Sequence, residues 1–143
     1  MLATLTVVVT AGAARSPLDL TLSGKYKKTL VRGKVQFGTV NCIPVKLPAT
    51  NVEWTGQIGT GKTAHRLAGE IDFHSTGKQT FGPNSSAIAT LVVDGDYKNS
   101  LAAGLPGGGG TGMVAKNAKS GTVSISLVNG RSKVLEQGSW ACG

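Results

Sequence analysis

Glycine interrupts this sequence so often that no long amphipathic helix can be placed in it. The 143 residues include 21 glycines, and we find no glycine-free run of twelve residues rich in the helix formers Leu, Glu, Lys and Ala. The apolar content comes from Val, Leu, Ile and Ala, whereas aromatic residues make up only 5%. β-Branched residues divided by glycine are typical of short strands joined by tight turns. We therefore predict an all-β fold.

Alternation of apolar and polar residues marks individual strands. Leu18 to Leu22 (LDLTL) has the period of two that a half-buried strand shows. Further on, Val31, Val35 and Phe37 share one face of a strand whose other face is basic. About eight or nine such candidates follow one another along the chain. This spacing predicts an antiparallel β-sandwich or a β-barrel, and the pattern does not choose between the two.

Three glycine-containing stretches organise the second half of the chain. Asp94-Gly95 and Asn129-Gly130 each follow an apolar run, and these dipeptides favour the hairpin turns that need positive φ. Between them lies a glycine-rich stretch, 104–112, which we interpret as a flexible loop. Neither half has enough apolar residues to fold comfortably alone. We therefore expect a single domain over 1–143.

One stretch, GQIGTGKT from Gly56 to Thr63, matches the pattern of a phosphate-binding P-loop in full. A P-loop needs a buried parallel strand before it and a helix after it, because the helix N-terminus supplies donors and positive potential. Here a short strand carrying Glu53 precedes the match, and Gly69 follows it before a helix of useful length can form. We interpret the stretch as a glycine-rich β-turn carrying an exposed Lys62, and we predict no cofactor.

The chain is basic, with fifteen Lys and Arg against seven acids and a net charge of +8. Only one group of cations is clustered, in GKYKKTLVRGK, and it comprises Lys25, Lys27, Lys28, Arg32 and Lys34. These five side chains form a candidate anion-binding face for nucleic acid or another polyanion. The alternative is a solvated strand face, because lysines on edge strands prevent edge-to-edge aggregation without any ligand.

Two cysteines, Cys42 and Cys142, allow one pairing. If they are bonded, the protein belongs in an oxidising compartment or in a particle that matures outside the cell. If they are reduced, both are expected in the core, where free cysteine is commonly found. The spacing alone leaves both alternatives open.

The N-terminal stretch MLATLTVVVTAGAARS has two interpretations. It resembles the apolar region of a signal peptide, but its first basic residue, Arg15, follows the apolar run instead of preceding it. The alternative, which we favour, is a buried strand from Leu2 to Thr10. The stretch is too short and too rich in threonine for a membrane span, so we predict no transmembrane segment.

Two segments with cysteine, GKVQFGTVNC and the final GSWACG, resemble the mycobacterial lipoprotein-antigen family. That family is similar in its strands rich in Thr, Gly, Ala and Val and in an early cysteine matched by one near the C-terminus. The resemblance covers only these two segments, and the first cysteine here is Cys42, so no lipidation-motif cysteine lies near the start. It implies an exported protein and transfers no functional residues.

No catalytic or metal-binding group stands out. His65 and His74 lack a second ligand at metal-binding spacing, no G-x-S-x-G motif is present, and no pair among the seven acids is singled out. We therefore predict that the protein is not an enzyme and assign no catalytic, cofactor or metal residues.

The leading hypothesis is a non-catalytic structural β subunit of a larger assembly, such as a virion coat, decoration or tail protein, or a surface layer or fibre. Copies of itself or other assembly components are its expected partners, in a virion or outside the cell. The alternative is an exported β-sandwich that binds a partner at the cell envelope, similar to the lipoprotein antigens and stapled by Cys42–Cys142. A polyanion-binding module is a third hypothesis.

Overall fold

The computed structural model of the protein describes residues 17–46 and 49–142. The predicted strand from Leu2 to Thr10 lies outside these residues. The described part contains two single-turn 3₁₀ helices, Gly61–Thr63 and Tyr97–Asn99, and eleven strands. The strands are β1 (Leu18–Tyr26), β2 (Thr29–Lys34), β3 (Gln36–Lys46), β4 (Ala49–Ile58), β5 (His65–Phe73), β6 (Gly77–Phe81), β7 (Ile88–Val93), β8 (Leu101–Ala102), β9 (Gly109–Val114), β10 (Ser120–Asn129) and β11 (Ser132–Ala141).

The strands form one antiparallel sheet that curls into a nearly closed barrel. Hydrogen-bonded neighbours follow the order β2-β1-β11-β10-β8-β7-β5-β4-β3, and β9 pairs with both β10 and β6 beside this path. The all-β prediction is confirmed. The structure has more strands than the pattern predicted, because β8 is only two residues long and β9 is formed largely of glycine.

Side chains that point into the barrel form a single core. Leu18, Leu20 and Leu22 on β1 are fully buried and alternate with exposed residues, as predicted. Both tryptophans lie in this core, and the Trp140 ring packs against Phe73 with the two ring centroids 5.6 Å apart. One ionisable side chain, that of Glu136 on β11, also points inward and is completely buried.

A glycine on β5 makes room for the indole ring of Trp54. A Cβ atom built on Gly69 of β5 would lie 2.2 Å from the indole of Trp54, which faces it from β4. This separation is far inside van der Waals contact, so a side chain at Gly69 would force the indole to move. The bulky Trp54 and the absent side chain of Gly69 therefore complement each other in the core.

A disulfide bond ties together two distant parts of the sheet. The sheet path ends at β2 on one side and at β3 on the other. Cys42, on β3, is bonded to Cys142, which directly follows β11 and is 100 residues away in sequence. The backbone N–H of Val35, between β2 and β3, also donates to the Leu20 carbonyl at 2.8 Å. Of the two states left open for the cysteines, the structure has the bonded one.

Phe37 departs from the predicted strand pattern. Val31 and Val35 are buried as expected, but the Phe37 side chain is 77% exposed. Its φ angle is +55°, and the register between β3 and β4 shifts between Gln36 and Thr39. This bulge turns the backbone, so Phe37 leaves the face that Val31 and Val35 occupy. The prediction that all three share one buried face is therefore wrong.

The P-loop-like stretch forms the turn of a hairpin. Its first residues end β4, and β5 returns antiparallel with Ile58 opposite His65. The connection contains only one 3₁₀ turn, Gly61–Thr63, with no buried residue. This confirms the interpretation of the stretch as a glycine-rich turn carrying an exposed Lys62.

The other two glycine turns adopt different geometries. Asp94 and Gly95 both have positive φ, as predicted, but they lead into the second 3₁₀ turn and a β8 that pairs with β7 at only two positions. In the β10–β11 hairpin, Asn129 pairs with Ser132, so the turn residues are Gly130 and Arg131. The hairpin is therefore confirmed, with its turn one residue later than the Asn-Gly pattern indicated.

The glycine-rich stretch 104–112 is divided between a turn and a strand. β9 begins at Gly109, so the last four residues of the predicted loop pair with β10, and the last three also pair with β6. A Cβ on Gly110 would lie 2.1 Å from the Ser124 carbonyl oxygen. Glycine here permits the backbones of β9 and β10 to approach each other closely. In the sequence alone, the same run of glycines indicated a flexible loop.

Candidate functional site: two charged faces of the barrel

The predicted anion-binding residues belong to the first hairpin. Lys25 is the penultimate residue of β1, Lys27 and Lys28 form the turn between Tyr26 and Thr29, and the two remaining cations lie on β2. All five side chains, those of Lys25, Lys27, Lys28, Arg32 and Lys34, are exposed. The structure thus places the predicted cluster on one continuous surface, while its binding to an anion stays a prediction.

Lys27 differs from the others because an acid neutralises it. Its Nζ atom lies 3.0 Å from Oδ2 of Asp96, which also accepts a hydrogen bond from the Tyr26 hydroxyl. The Asn99 amide donates to the same carboxylate at 3.0 Å. Hydrogen bonds from Tyr26, Lys27 and Asn99 hold the pKa of Asp96 at about 2, and the bond to Asp96 raises the pKa of Lys27. Lys27 therefore supports the turn more than it offers free charge.

Strand β11 adds a cation that the sequence pattern did not connect with this cluster. Lys133 lies directly opposite Lys25 in the β1–β11 ladder, and both side chains are exposed. Directly opposed like charges on one sheet face repel each other. Lys34 has an ion-pair partner, Asp19, at 3.4 Å. We call Lys25, Arg32, Lys34 and Lys133, all on the outer surface of β2, β1 and β11, the basic face.

Strands β4 and β5 carry charges of the opposite sign. Glu53 lies directly opposite Glu70 in the ladder, and Asp72 follows two residues later on the same side of β5. We call these three residues the acidic face. The Asn51 amide donates to Oε1 of Glu70 at 2.7 Å. Among the described residues, no lysine, arginine or histidine lies within ion-pair distance of the three acids.

The crowding of acids changes the titration of Asp72. Burial raises its pKa to about 7, and the neighbouring carboxyl groups of Glu70 and Glu53 add to the effect. A positive partner placed against this surface would oppose both contributions, because it would favour the charged carboxylate. Among the described residues, the negative charge of the acidic face thus has no ion-pair partner. The Lys25–Lys133 pair on the basic face likewise has none.

These three acids were not among the site residues predicted from the sequence. The alternation in GEIDF did place Glu70 and Asp72 on one face, because residues two apart in a strand point the same way. The position of Glu53 directly opposite Glu70 depends on the register of β4 against β5, and no local sequence pattern specifies that register. Along the sheet path, β10, β8 and β7 lie between the strands of the basic face and those of the acidic face, so the two faces lie on different sides of the barrel.

The histidines do not form a metal site in the described part of the chain. His65 Nδ1 lies 2.8 Å from Oδ2 of Asp94, and Asp94 Oδ1 accepts a hydrogen bond from the backbone of Arg66 at 2.9 Å. Within residues 17–46 and 49–142, no group of three or more His, Cys, Asp or Glu side chains is arranged to hold a metal ion. The same residues contain no helix long and apolar enough to cross a membrane.

The chain matches no protein-family model, no curated protein and no solved structure. The resemblance to the lipoprotein antigens therefore rests on the two cysteine-containing segments alone.

Proposed function

We propose that this protein is a non-catalytic structural subunit whose copies assemble through their charged faces. The assembly would be a virion coat, decoration or tail structure, or a surface layer or fibre. The observation that carries the proposal is that one barrel presents two surfaces of opposite charge, each containing an unrelieved like-charge pair. These pairs are Lys25–Lys133 on the basic face and Glu53–Glu70 on the acidic face.

A contact between the two faces would relieve both repulsions at once. Within one molecule, each pair is unfavourable because like charges lie directly across neighbouring strands. When the basic face of one copy meets the acidic face of another, each charge gains an opposite neighbour. An exposed ion pair contributes only about 0–1 kcal/mol, so the association needs several pairs and weakens as salt is added.

Exposed apolar side chains on or next to both charged faces support a protein partner. Leu30, paired with Lys25 across the first hairpin, is 57% exposed. On the other surface Ile88 lies directly opposite Asp72 and is 48% exposed. Ile43, on the neighbouring edge strand, is 41% exposed. A site for a polyanion alone would gain little from such residues, whereas a protein interface buries them.

The two faces differ from each other, so the contact would be heterologous. Such head-to-tail contacts close into a ring if the rotation allows it and otherwise continue as an open filament. Both products are compatible with the assemblies named above. The barrel would act as a repeating unit that needs no active site.

Charge reversal on each face tests this proposal. We expect the wild-type protein to form large species at low ionic strength, measured by light scattering behind a sizing column, and to dissociate in high salt. The variants Lys25→Glu/Lys133→Glu and Glu53→Lys/Glu70→Lys should each be monomeric. Mixed in equal amounts they should associate again, because each reversed pair on one variant then meets a pair of opposite charge on the other.

The control is Lys62→Glu/Lys78→Glu, which makes the same change in net charge as Lys25→Glu/Lys133→Glu at two exposed lysines outside both faces. It should assemble like the wild type. If the wild-type protein stays monomeric in low salt at high concentration, or if the two reversed variants fail to associate when mixed, the proposal is wrong.

The disulfide supports a second candidate, an exported binding module at the cell envelope. Stable disulfides persist in oxidising compartments and are rare in the cytosol, and Cys42–Cys142 joins strands far apart in the sequence. This candidate predicts a monomer whose cysteines resist thiol reagents until a reductant is added. Free thiols in freshly isolated native protein would count against it.

A polyanion partner for the first hairpin is tested separately. Retention on immobilised heparin should collapse in moderate salt and be lost when Lys28 and Arg32 are changed to Gln, if the hairpin binds polyanions. Arg32 also belongs to the basic face, so the same variant is run on the sizing column. Loss of retention without loss of assembly would separate the two activities.

A further inference from the structure

One end of the barrel contains a small cleft between two hairpin turns. The β1–β2 turn, the β10–β11 turn and the Tyr97–Asn99 turn enclose about 290 Å³. The lining residues are Lys27, Lys28, Asn99, Asn129, Arg131 and Ser132. In the sequence, Lys27 and Lys28 belong to the basic cluster, and no local pattern connects them with Asn129, Arg131 or Ser132.

Hydrogen bonds to other parts of the protein hold the residues that line the cleft in place. Ser132 is buried, and its Oγ accepts a hydrogen bond from the backbone N–H of Lys27 at 2.8 Å. The side-chain nitrogen of Asn99 donates to Asp96, and that of Asn129 donates to the Ser100 carbonyl oxygen at 3.0 Å. Since both acceptors are oxygens, the orientation of each amide follows from its partner.

These bonds decide which groups remain available to a ligand. With their nitrogens engaged, Asn99 and Asn129 retain side-chain oxygens that accept no hydrogen bond from the described residues. The Ser132 hydroxyl, already an acceptor, can still donate. Lys28 and Arg131 have no ion-pair partner in the part of the chain that the structure describes. The cleft therefore combines two free cations, two free acceptors and one hydroxyl donor.

This combination fits an anionic group attached to a ring that carries hydroxyls. Lys28 and Arg131 would bind a phosphate or carboxylate through charge-assisted hydrogen bonds. The two amide oxygens would accept hydrogen bonds from hydroxyl groups, which a bare inorganic anion lacks. Among the described residues, no aromatic side chain lines the cleft, so these residues offer no platform for a nucleobase. Its volume lies at the lower end for ligand pockets, which suits one monosaccharide unit.

We propose that this cleft binds an acidic monosaccharide unit, either free or as the end of a polysaccharide, with Lys28 and Arg131 holding its anionic group. The site shares no residue with the basic or acidic face. It would therefore give the protein a ligand in addition to the copies of itself, and the two proposals stand or fall separately.

Amide chemical shifts of the isotopically labelled full chain test the site. The probes are glucose 6-phosphate and glucuronate, with glucose and inorganic phosphate as their matched halves. At least one acidic sugar should shift the amides of Lys28, Arg131 and Ser132 saturably and bind about tenfold or more tightly than either half. Which of the two binds better identifies phosphate or carboxylate as the preferred group.

The variant Lys28→Gln/Arg131→Gln should lose about tenfold or more in affinity for that sugar, because two charge-assisted bonds are removed. The control Lys62→Gln/Lys78→Gln removes the same charge elsewhere and should bind like the wild type. Measurement in a Glu53→Gln/Glu70→Gln background separates ligand binding from self-association. If neither acidic sugar binds more tightly than glucose and inorganic phosphate, if neither gives a saturable shift, or if the Lys28/Arg131 variant binds as the wild type does, the proposal is overturned.

Discussion

The carboxyl group of Glu136 and the indole of Trp54 approach each other inside the barrel, yet neither has a hydrogen-bond partner among the described residues. Both Glu136 oxygens and Trp54 Nε1 are buried without one. Burial raises the pKa of Glu136 to about 8, and the approach of the indole N–H opposes this rise only partly. Glu136 is therefore a neutral acid at neutral pH, held in an apolar core that would oppose its ionisation.

This carboxyl makes the protein less stable as the pH rises. Between its ordinary pKa of 4.5 and about 8, the unfolded chain loses the Glu136 proton while the folded protein keeps it. The stability from this group is thus fully present below pH 4.5 and declines by about 1.4 kcal/mol per pH unit above it. Asp72 acts in the same direction up to about pH 7.

Urea unfolding followed by tryptophan fluorescence at pH 5 and pH 8 measures the decline. We expect the free energy of unfolding of Glu136→Gln to fall less over this range than that of the wild type, by about 4 kcal/mol. The comparison concerns only how the free energy of unfolding changes with pH. If the Gln side chain lowers stability equally at both pH values, the comparison is unaffected. Parallel pH profiles for the two proteins would contradict the assignment of a raised pKa to Glu136.

The bond network around Asp96 should have the opposite pH dependence. The pKa of Asp96 is lowered from 3.8 to about 2, so its contribution is present above pH 3.8 and is lost as the pH falls towards 2. Asp96→Asn and Tyr26→Phe should each lower the Tm at pH 7. The double variant should lose less than the sum, because both changes remove the same hydrogen bond. Fully additive losses in calorimetry would show that the two groups act independently.

The disulfide should contribute a large part of the stability. It closes a loop across a sequence separation of 100 residues, and removing a native disulfide from a small domain typically costs about 2–5 kcal/mol. We expect Cys42→Ser/Cys142→Ser to unfold at lower urea concentration than the wild type, and reductant to shift only the wild-type midpoint. A wild-type midpoint that reductant leaves unchanged would argue against this contribution.

A methyl group at Gly69 should disturb the core. Gly69→Ala would place a Cβ 2.2 Å from the Trp54 indole, and overpacking of this kind costs about 1–3 kcal/mol. Gly104→Ala is the matched control, because a Cβ there meets no atom within 4 Å and the backbone is not left-handed. Thermal unfolding should show a lower Tm for the first variant only. Equal Tm values would mean that the indole moves aside without cost.

Local sequence features predicted local structure well. The alternation at Leu18–Leu22 indicated which side chains enter the core, and Asp94-Gly95 indicated a turn with positive φ. The same parity rule placed Glu136 on the side of Val134, so the signal for a buried acid was present and was overlooked. Phe37 does not follow this alternation because a β-bulge arises from the pairing of two strands, and the sequence of one strand does not specify it.

The charged surfaces and the cleft could not have been derived in this way. A period of two determines which face of its own strand a residue occupies, because the pleat is a local geometry. Sequence alone thus determined the all-β fold, most of the inward-facing side chains and the hairpin character of the P-loop-like stretch. Only the tertiary structure decided that Lys25 faces Lys133, that Glu53 faces Glu70 and that the two cysteines are bonded. Each of these contacts depends on which strands become neighbours and in which register, and that choice comes from packing the whole barrel around one core.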